Sequence, residues 1–387
     1  MKKRSNLAAF YLNYGKGSLY GHPAGIRVKL AVRRERGAAM KKALVTGAAG
    51  FIGSNIVRVL LEDGMDVRAM ILPGEDTRNL KGLDIERVDG NVLDTDSLDK
   101  ALTGCDTLFH LAAIFSIWAR DRGIFYHVNL QGARNMLWSA RNADLEKVVF
   151  TSSIAGLGIA PGKELADETT PFNQWGQSDY VVTKYFSQQE ALTFARKGDL
   201  PLVVVNPCFP YGEGDVAPTP TGKIMLDTAN GLQLLVFEGG LNIVDVRDVA
   251  RGHLLAAKHG EVGEMYILGN KNLSIREYLE MIARLAGLEI GFIPLPVGMA
   301  KVAGWMFVKI ADATGKPPLT TAKEVSYSSQ HLFFDISKAR QKLGYEPSSV
   351  EDSILRALNW YRAEGYIPAK GPLPAISKRL GKLFYRG

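Results

Sequence analysis

The 387-residue sequence predicts an α/β fold in which a doubly wound parallel sheet carries a smaller, discontinuous C-terminal lobe. Two observations lead to this prediction. Short apolar runs alternate with amphipathic stretches from residue 42 to residue 206, which is the pattern of a parallel sheet covered by helices on both faces. Beyond residue 206 the alternation weakens, and residues 207–242 hold six glycines and four prolines, as expected of an insertion that binds substrate.

The predicted strands are short apolar runs, and the predicted helices show apolar residues at helical spacing. Gly64 ends the first helix, and Ser274 with Glu277 forms a capping box at the start of another. The predicted strands are 42–46, 66–72, 85–89, 107–110, 147–152, 202–206, 243–246 and 264–268. The predicted helices are 50–63, 95–102, 124–143, 178–197, 248–258 and 274–286, followed by a largely helical segment from 294 to about 363. We expect the strand at 243–246 to return to the main sheet.

The formal charge of +7 comes from the two ends of the chain. Residues 1–39 carry nine Lys and Arg and one acid, and the last sixteen residues carry four and none. Residues 40–371 keep 34 basic and 39 acidic groups, so a whole-surface footprint for nucleic acid is not expected. Cys105 and Cys208 are the only cysteines, which argues against a disulfide scaffold and against a cysteine-rich zinc site.

Membrane contact is predicted only in a weak form. No stretch reaches the roughly 18 uninterrupted apolar residues that a membrane span needs. The most apolar candidate, 297–313, is interrupted by Lys301, Lys309 and Asp312, and therefore predicts an amphipathic helix. The tail at 367–387 mixes apolar and basic residues, and predicts either a solvated end or a weak contact with an anionic membrane surface.

The first predicted strand runs directly into Gly47, Gly50 and Gly53, and a helix follows. Glycines at these positions allow a tight turn, a close approach of the backbone to a pyrophosphate and close packing of the helix. The strand before them and the helix after them supply the context that such a motif requires. The sequence therefore predicts a Rossmann-type dinucleotide site, with a purely structural turn as the alternative.

The end of the second predicted strand bears on the choice of dinucleotide. An acid there would hydrogen-bond the ribose 2′-hydroxyl of NAD and repel the 2′-phosphate of NADP. The strand ends in Leu72-Pro-Gly74 without an acid, and Glu75 and Asp76 follow in the loop. Arg78 is near enough in sequence to turn toward a phosphate. We therefore favour NADP(H), and NAD(H) stays open.

Tyr180 and Lys184 lie four residues apart in a predicted helix and so share one face. A ketone that accepts a hydride needs a proton donor beside the developing alkoxide. We predict that Tyr180 is this donor and that the ammonium of Lys184 lowers its pKa. Ser153, just after the fifth predicted strand, is predicted to donate a hydrogen bond to the substrate oxygen. An exposed Tyr and Lys on a helix surface would be the alternative if the pair stood alone.

Five motifs occur together in the chain: TGAAGFIG at 46–53, HLAA at 110–113, TSS at 151–153, YVVTK at 180–184 and NP at 206–207. With them, the segment from Met40 to about Ala369 resembles the extended short-chain dehydrogenase/reductase family, also called the NAD-dependent epimerase/dehydratase superfamily. The stretch at 206–215 is similar to the dihydroflavonol reductase branch. The stretch at 215–222 and Leu343-Gly-Tyr345 are more similar to hopanoid-associated sugar epimerases.

The resemblance implies a role for each matching position. Ser153, Tyr180 and Lys184 would be catalytic, and Lys184 would also bind the nicotinamide ribose. Asn91 replaces an aspartate that commonly contacts the adenine, and Leu72 replaces an arginine found in many relatives. The residues implied in cofactor binding are Gly47, Gly50, Phe51, Ile52, Gly53, Arg78, Asn91, Val92, Leu111, Ala112, Ala113, Tyr180, Lys184 and Pro207.

The walls expected around the substrate are mostly apolar or aromatic, and comprise Phe115, Ile117, Trp118, Phe209 and Tyr211. They favour a dihydroflavonol reductase-like carbonyl reductase that transfers hydride between a nicotinamide and a secondary alcohol or ketone. The alternative is an NAD-dependent epimerase or dehydratase acting on a nucleotide- or lipid-linked sugar, which would use the same three catalytic residues. Its pyrophosphate would need cations, for which Lys223 and Arg247 are candidates. A non-catalytic dinucleotide-sensing protein is a more distant alternative.

The predicted divisions of the chain are a basic N-terminal arm (1–39), a dinucleotide-binding domain (40–206 with 243–268), a substrate-binding lobe (207–242 with 269–366) and a basic C-terminal tail (367–387). We expect the functional start at Met40, with the arm disordered or non-native; a targeting segment is the alternative. The resemblance implies a homodimer with a small-molecule substrate. The low cysteine content favours a reducing, cytoplasmic compartment, and no metal is expected.

Overall fold

A computed structural model of the chain describes residues 40–116 and 118–368. The predictions made for residues 1–39, for Ile117 and for the tail beyond residue 368 lie outside these described residues. Among the described helices, none combines the length and the hydropathy that crossing a bilayer requires.

Seven parallel strands form the central sheet. They are β1 (Lys42–Thr46), β2 (Asp66–Ile71), β3 (Glu86–Asp89), β4 (Thr107–His110), β5 (Lys147–Thr151), β6 (Leu202–Pro207) and β10 (Met265–Leu268). Their spatial order is β10-β6-β5-β4-β1-β2-β3, so the direction of winding reverses between β1 and β4. This is the doubly wound, Rossmann-type order that the alternation of strands and helices predicts, and ligands bind such sheets at the point of reversal.

Helices cover both faces of this sheet. They are α1 (Phe51–Glu62), α2 (Thr95–Leu102), α3 (Ala133–Asn142), α4 (Asp179–Arg196) and α6 (Val246–His259). The core alternates accordingly: Val203 packs in the cluster that contains Ile56 of α1, whereas its neighbour Val204 packs in the cluster that contains Leu137 of α3. Successive strand residues point to opposite faces, so a central strand such as β6, which is buried throughout, has an almost continuous apolar sequence.

The predicted helix at 124–143 differs from a regular α-helix over its first half. One α-helical turn, Gly123–Phe125, leads into a π-helical stretch, Tyr126–Gly132, before α3 begins. A Cβ on Gly132 would lie 2.6 Å from Cγ2 of Val92, so a larger residue would push this stretch away from the sheet. The wider turns of the π-helix orient Asn129 toward the loop after β4, to whose backbone its side chain is hydrogen-bonded.

A second, smaller sheet lies beyond the central one. It consists of β9 (Gly240–Asp245) and three strands that pair with it, β7 (Phe209–Tyr211), β11 (Lys271–Ser274) and β13 (His331–Leu332). The expectation that residues 243–246 return to the main sheet is therefore wrong. The edge of β6 that such a strand would need is occupied by β10, and β9 is buried within the smaller sheet instead.

The remaining elements are α5 (Pro220–Ala229), β8 (Leu235–Val236), α7 (Ile275–Leu285), β12 (Ile293–Pro294), α8 (Val297–Thr314), α9 (Ala322–Ser328), α10 (Ser337–Leu343) and α11 (Val350–Ala363). The predicted capping box of Ser274 and Glu277 begins α7. The largely helical character of the segment after residue 294 is confirmed. The division into a dinucleotide-binding domain and a substrate lobe stays a prediction, with β9 assigned to the smaller sheet.

Candidate active site

A cavity of about 660 Å³ is lined by residues that follow the carboxyl ends of β1 to β6. It lies where the winding of the central sheet reverses, the usual ligand position in this architecture. Most of the residues predicted for the site line it together: Gly47, Gly50, Phe51, Ile52, Gly53, Asn91, Val92, Leu111, Ala112, Ala113, Phe115, Ser153, Tyr180, Lys184, Pro207 and Phe209.

Two of the predicted cations lie elsewhere. Arg78 is exposed and forms an ion pair of 2.6 Å with Asp76, so it faces a separate crevice behind α1 rather than the cavity. Lys223 is also exposed and pairs at 2.8 Å with Asp227, one turn further along α5. Each cation is therefore held by a carboxylate on its own segment, and neither reaches the described lining of the cavity.

Two of the predicted aromatic side chains also lie outside this lining. Tyr211 is fully buried, with its hydroxyl 3.5 Å from the carbonyl oxygen of Val350 and its ring beside Tyr278. It packs in the core because β7 belongs to the smaller sheet. Trp118 is half-buried, and its carbonyl oxygen accepts a hydrogen bond from Ser116 at 2.7 Å. The expectation that these two side chains wall the substrate is therefore not met.

The glycine loop has a shape that only glycine permits. Gly47 has a φ of +65°, and a Cβ on Gly53 would lie 2.0 Å from the carbonyl oxygen of Gly47. No described side chain caps α1, so the first N–H groups of this helix stay available to an anion. The loop and the helix N-terminus therefore fit a dinucleotide pyrophosphate.

The end of β2 carries an acid after all, supplied by the loop. The carboxylate of Glu75 accepts a hydrogen bond from the backbone N–H of Leu72 at 3.1 Å and lies in the cavity wall. Leu72 itself is half exposed at the strand end. Because Arg78 faces the other crevice, this corner of the cavity holds a carboxylate and no described cation.

The Ser, Tyr and Lys side chains meet at one wall of the cavity. Ser153 follows β5 and forms a hydrogen bond with Tyr180, which stands at the start of α4. Lys184 lies one turn further along α4 and donates from Nζ to the carbonyl oxygen of Thr151 at 3.2 Å. The phenyl ring of Phe115 packs on Tyr180, with their centroids 4.9 Å apart.

The protonation of this group differs from the sequence prediction. Burial raises the pKa of Tyr180 to about 12, opposed by the hydrogen bond with Ser153 and aided by the carboxylate of Glu324. Burial also lowers the pKa of Lys184 to about 8. The prediction that the ammonium lowers the pKa of the tyrosine is therefore not met, because desolvation dominates for both groups. At neutral pH, the phenol of Tyr180 therefore keeps its proton.

Two buried side chains hold the neighbouring loops in place. The carboxamide of Asn129 accepts from the N–H of Ile114 at 2.7 Å and donates to its carbonyl oxygen at 3.0 Å. His110 lies at the end of β4 with Nδ1 at 2.8 Å from Oγ1 of Thr46. Burial, with a smaller contribution from Lys184, lowers the pKa of His110 to about 3, so this ring is neutral and serves as a support.

The sequence reasoning missed two residues of α9 that line the cavity. Glu324 accepts a hydrogen bond from Ser328 at 3.2 Å, and burial raises the pKa of its carboxyl. Tyr327 is buried near Tyr180. The pattern Thr321-x-x-Glu324 resembles a capping box and could have located the helix start, but nothing in it indicates a cavity. These residues lie more than 100 positions beyond the last of the five family motifs, at 206–207.

The fold and the cavity together define a Rossmann-type dinucleotide-binding protein. A model of the NAD dependent epimerase/dehydratase family matches residues 43–269. The chain belongs to this family, the extended short-chain dehydrogenase/reductases, whose members are enzymes.

Three similar proteins cover most of the chain. A "Putative dihydroflavonol 4-reductase" of Synechocystis sp. is 38% identical over 84% of this chain and 95% of its own length. "Sterol demethylase protein B" of Methylococcus capsulatus is 33% identical over 84% of this chain and 99% of its own length. The crystal structure of gox2253 has a TM-score of 0.76 at 37% identity and covers 85% of this chain and 100% of its own.

Proposed function

We propose that this protein is an NAD(H)-dependent carbonyl reductase that acts on an apolar ketone, with Ser153, Tyr180 and Lys184 as its catalytic residues. The relative named as a putative dihydroflavonol 4-reductase agrees with a reduction of this kind. The reverse reaction, oxidation of a secondary alcohol, would use the same groups.

The observation that carries the proposal is the charge and polarity of the cavity wall. Lys184 is the only Lys or Arg among its described lining residues, and its Nζ is bonded to a backbone carbonyl. The substrate end is walled by Phe115, Phe209 and Tyr327, with the carboxyl of Glu324 beside them. An apolar or aromatic ketone fits such a wall, whereas the diphosphate of a nucleotide sugar would meet no further cation there.

The residues have separate tasks in this proposal. The nicotinamide, when bound, supplies the hydride. Ser153 donates a hydrogen bond to the carbonyl oxygen and orients the ketone against Tyr180. The phenol of Tyr180 then gives its proton to the oxygen as negative charge develops on it. Lys184, whose Nζ is held at the carbonyl oxygen of Thr151, binds the ribose hydroxyls.

The second candidate function is that of an NAD-dependent epimerase, as the family description suggests. It would use the same Ser, Tyr and Lys, so the catalytic wall does not separate the two. Arg247, proposed to bind a pyrophosphate, faces Glu213 at 3.9 Å in the crevice behind α1, and Lys223 is bonded to Asp227. The positions of both cations favour the reductase.

We propose NAD(H) rather than NADP(H) as the cofactor. The Glu75 carboxylate at the end of β2 is suited to accept a hydrogen bond from a ribose 2′-hydroxyl, and would repel a 2′-phosphate. Arg78, which favoured NADP(H) in the sequence, is bonded to Asp76 outside the cavity. We further propose a cytoplasmic homodimer.

Nucleotide binding and retention test this proposal. Fluorescence titration of the purified full chain should show tighter binding of NADH than of NADPH by at least about tenfold, because a phosphate beside Glu75 is repelled. After dialysis, little nucleotide should stay bound, since a reductase exchanges its cofactor at each turnover. A full equivalent of retained NAD, without net oxidation of NADH by any of a panel of aryl ketones, would favour the epimerase.

A further inference from the structure

Helix α8 is amphipathic in an unusual sense, because the three residues that it buries are small and five of its large apolar residues face outward. Ala300, Gly304 and Ala311 are its buried positions. A Cβ on Gly304 would lie 2.7 Å from the backbone nitrogen of Ala322, so α8 crosses the start of α9 in close contact. The face that packs on the protein is thus already filled by backbone and small side chains.

The opposite face of α8 exposes its bulk to solvent. More than half of the surface of five large residues is accessible: Met299 63%, Val302 61%, Trp305 58%, Met306 53% and Ile310 56%. At 100° per residue these positions fall within one arc of the helix, and they form one stripe along it. Contiguous exposure of this extent marks a surface that binds something apolar.

Segments near α8 also expose apolar residues. Leu235 of β8 is 49% exposed and pairs with Ile293 of β12, immediately before α8 begins. Leu232 is 70% exposed on the approach to β8, and Leu319 is 75% exposed after α8 ends. The stripe of α8 alone is called the α8 face below.

The charged residues of α8 and of the turn just after it are mainly lysines. Lys301, Lys309 and Lys316 are exposed along α8 and just after it, against the single acid Asp312. The Nζ of Lys309 lies 5.8 Å above the ring of Trp305, so the cation and the apolar surface are presented together. Long lysine side chains of this kind reach from an apolar surface to phosphate headgroups.

We propose that the α8 face binds the surface of a bilayer that contains anionic lipids. Trp305, Met306 and their neighbours would enter the boundary between headgroups and acyl chains, and the lysines would contact lipid phosphates. Since no described helix can cross a bilayer, α8 would lie in the plane of the membrane. A second copy of the chain fits the face less well, because a two-fold contact between identical helices brings their lysines together.

The α8 face lies on the side of α8 that points away from α9, and α9 is the helix that lines the cavity. The inner face of α8 packs on α9, and α9 carries Glu324 and Tyr327 into the cavity wall. A bilayer bound to α8 would therefore lie one helix away from the substrate end. The proposal does not depend on the reaction that this cavity performs.

Co-sedimentation of the full chain with vesicles tests the proposal. Vesicles of phosphatidylcholine with about one third phosphatidylglycerol should bind the protein, pure phosphatidylcholine should bind it more weakly, and added salt should reduce binding. The double variant Trp305→Ser/Met306→Ser should lower the partition coefficient about tenfold, as expected when two inserted side chains are lost. Leu165→Ser/Val262→Ser, which removes two apolar residues exposed elsewhere, should bind like the wild type.

Two outcomes would overturn the proposal. The first is unchanged vesicle binding of the Trp305/Met306 variant together with loss of binding when residues 369–387 are deleted, which would assign the contact to the basic tail. The second is absence of vesicle binding by the wild type, with light scattering showing that the Trp305/Met306 variant converts an oligomer to a monomer. A melting temperature like that of the wild type would show that the variant is folded.

Discussion

The two ends of the cavity differ in what lines them, which is mainly backbone at one end and mainly side chains at the other. The cofactor end is made of backbone: glycines, a helix N-terminus without a side-chain cap and the loops that follow parallel strands. The substrate end is made of side chains that come from four separate segments, around Phe115, Tyr180, Phe209 and Glu324. The first end tolerates almost no change of residue size at its glycines, whereas the second can be altered one side chain at a time.

This difference has a consequence for function. A backbone site fixes which class of cofactor enters, and it is shared by any reaction that uses a nicotinamide. The side chains of the other end decide the substrate. Substitutions at the two ends should therefore separate cofactor binding from turnover.

The largest effect is expected at Gly53. In Gly53→Ala the new Cβ would lie 2.0 Å from the carbonyl oxygen of Gly47, so the loop must move. A displacement of about 1 Å is enough to cost about a hundredfold in a positioned site. Titration with NADH should show affinity reduced by at least this factor, and turnover should be lost with it.

Gly176→Ala is the matched control for this substitution. A Cβ at Gly176 meets nothing within 4 Å, so NADH affinity should stay at the wild-type value. Equal affinities of Gly53→Ala and Gly176→Ala would show that the loop is not the pyrophosphate site, and the contrast between the two ends of the cavity would fail.

A smaller effect is expected at Lys184, where a substitution should make the protein more stable. Burial lowers its pKa from 10.5 to about 8, so the unfolded chain binds more protons between these values, and wild-type stability should rise with pH through this window. Lys184→Met removes the buried charge. Without cofactor it should be more stable than the wild type at neutral pH by up to about 3 kcal/mol, and the difference should vanish toward pH 10.5.

Urea denaturation across this pH range measures the effect. Lys223→Met serves as the control, because this exposed lysine forms a surface ion pair and its loss should change stability by less than about 1 kcal/mol. A Lys184→Met protein that is less stable than the wild type at neutral pH would mean that the ammonium is stabilised by partners within the cavity. Cofactor binding by Lys184→Met should be weakened in either case.

The cofactor end could be predicted from the sequence because the residues within each of its motifs lie close together in the chain. Gly47, Gly50 and Gly53 follow a strand and open a helix, and Tyr180 and Lys184 share a helix face, so spacing alone predicts their neighbours. The doubly wound sheet follows from the same alternation of apolar runs and helices. Its reversal point places these separate motifs at one edge.

The substrate end could not be predicted in the same way, because it depends on which strands pair. Tyr211 was expected in the wall, but the pairing of β7 with β9 buries it in the core. Glu324 and Tyr327 reach the cavity only because α9 packs there. The position of Glu75 likewise depends on a turn that folds its carboxylate back to Leu72.

The sign of the pKa shift at Tyr180 also depends on burial that spacing does not reveal. A lysine four residues away indicates a lowered pKa, yet desolvation raises it to about 12, and Glu324 adds to the rise. The same burial makes Lys184 a weaker cation.

The most direct test of the proposed role of Tyr180 compares NADH binding with NADH oxidation in Tyr180→Phe, using aryl ketones as substrates. The account predicts an NADH affinity like that of the wild type and a turnover number reduced by a factor of about 10² to 10⁴, because the proton donor is lost while the backbone site stays intact. Full turnover in Tyr180→Phe would contradict it, since another group would then have to protonate the substrate oxygen.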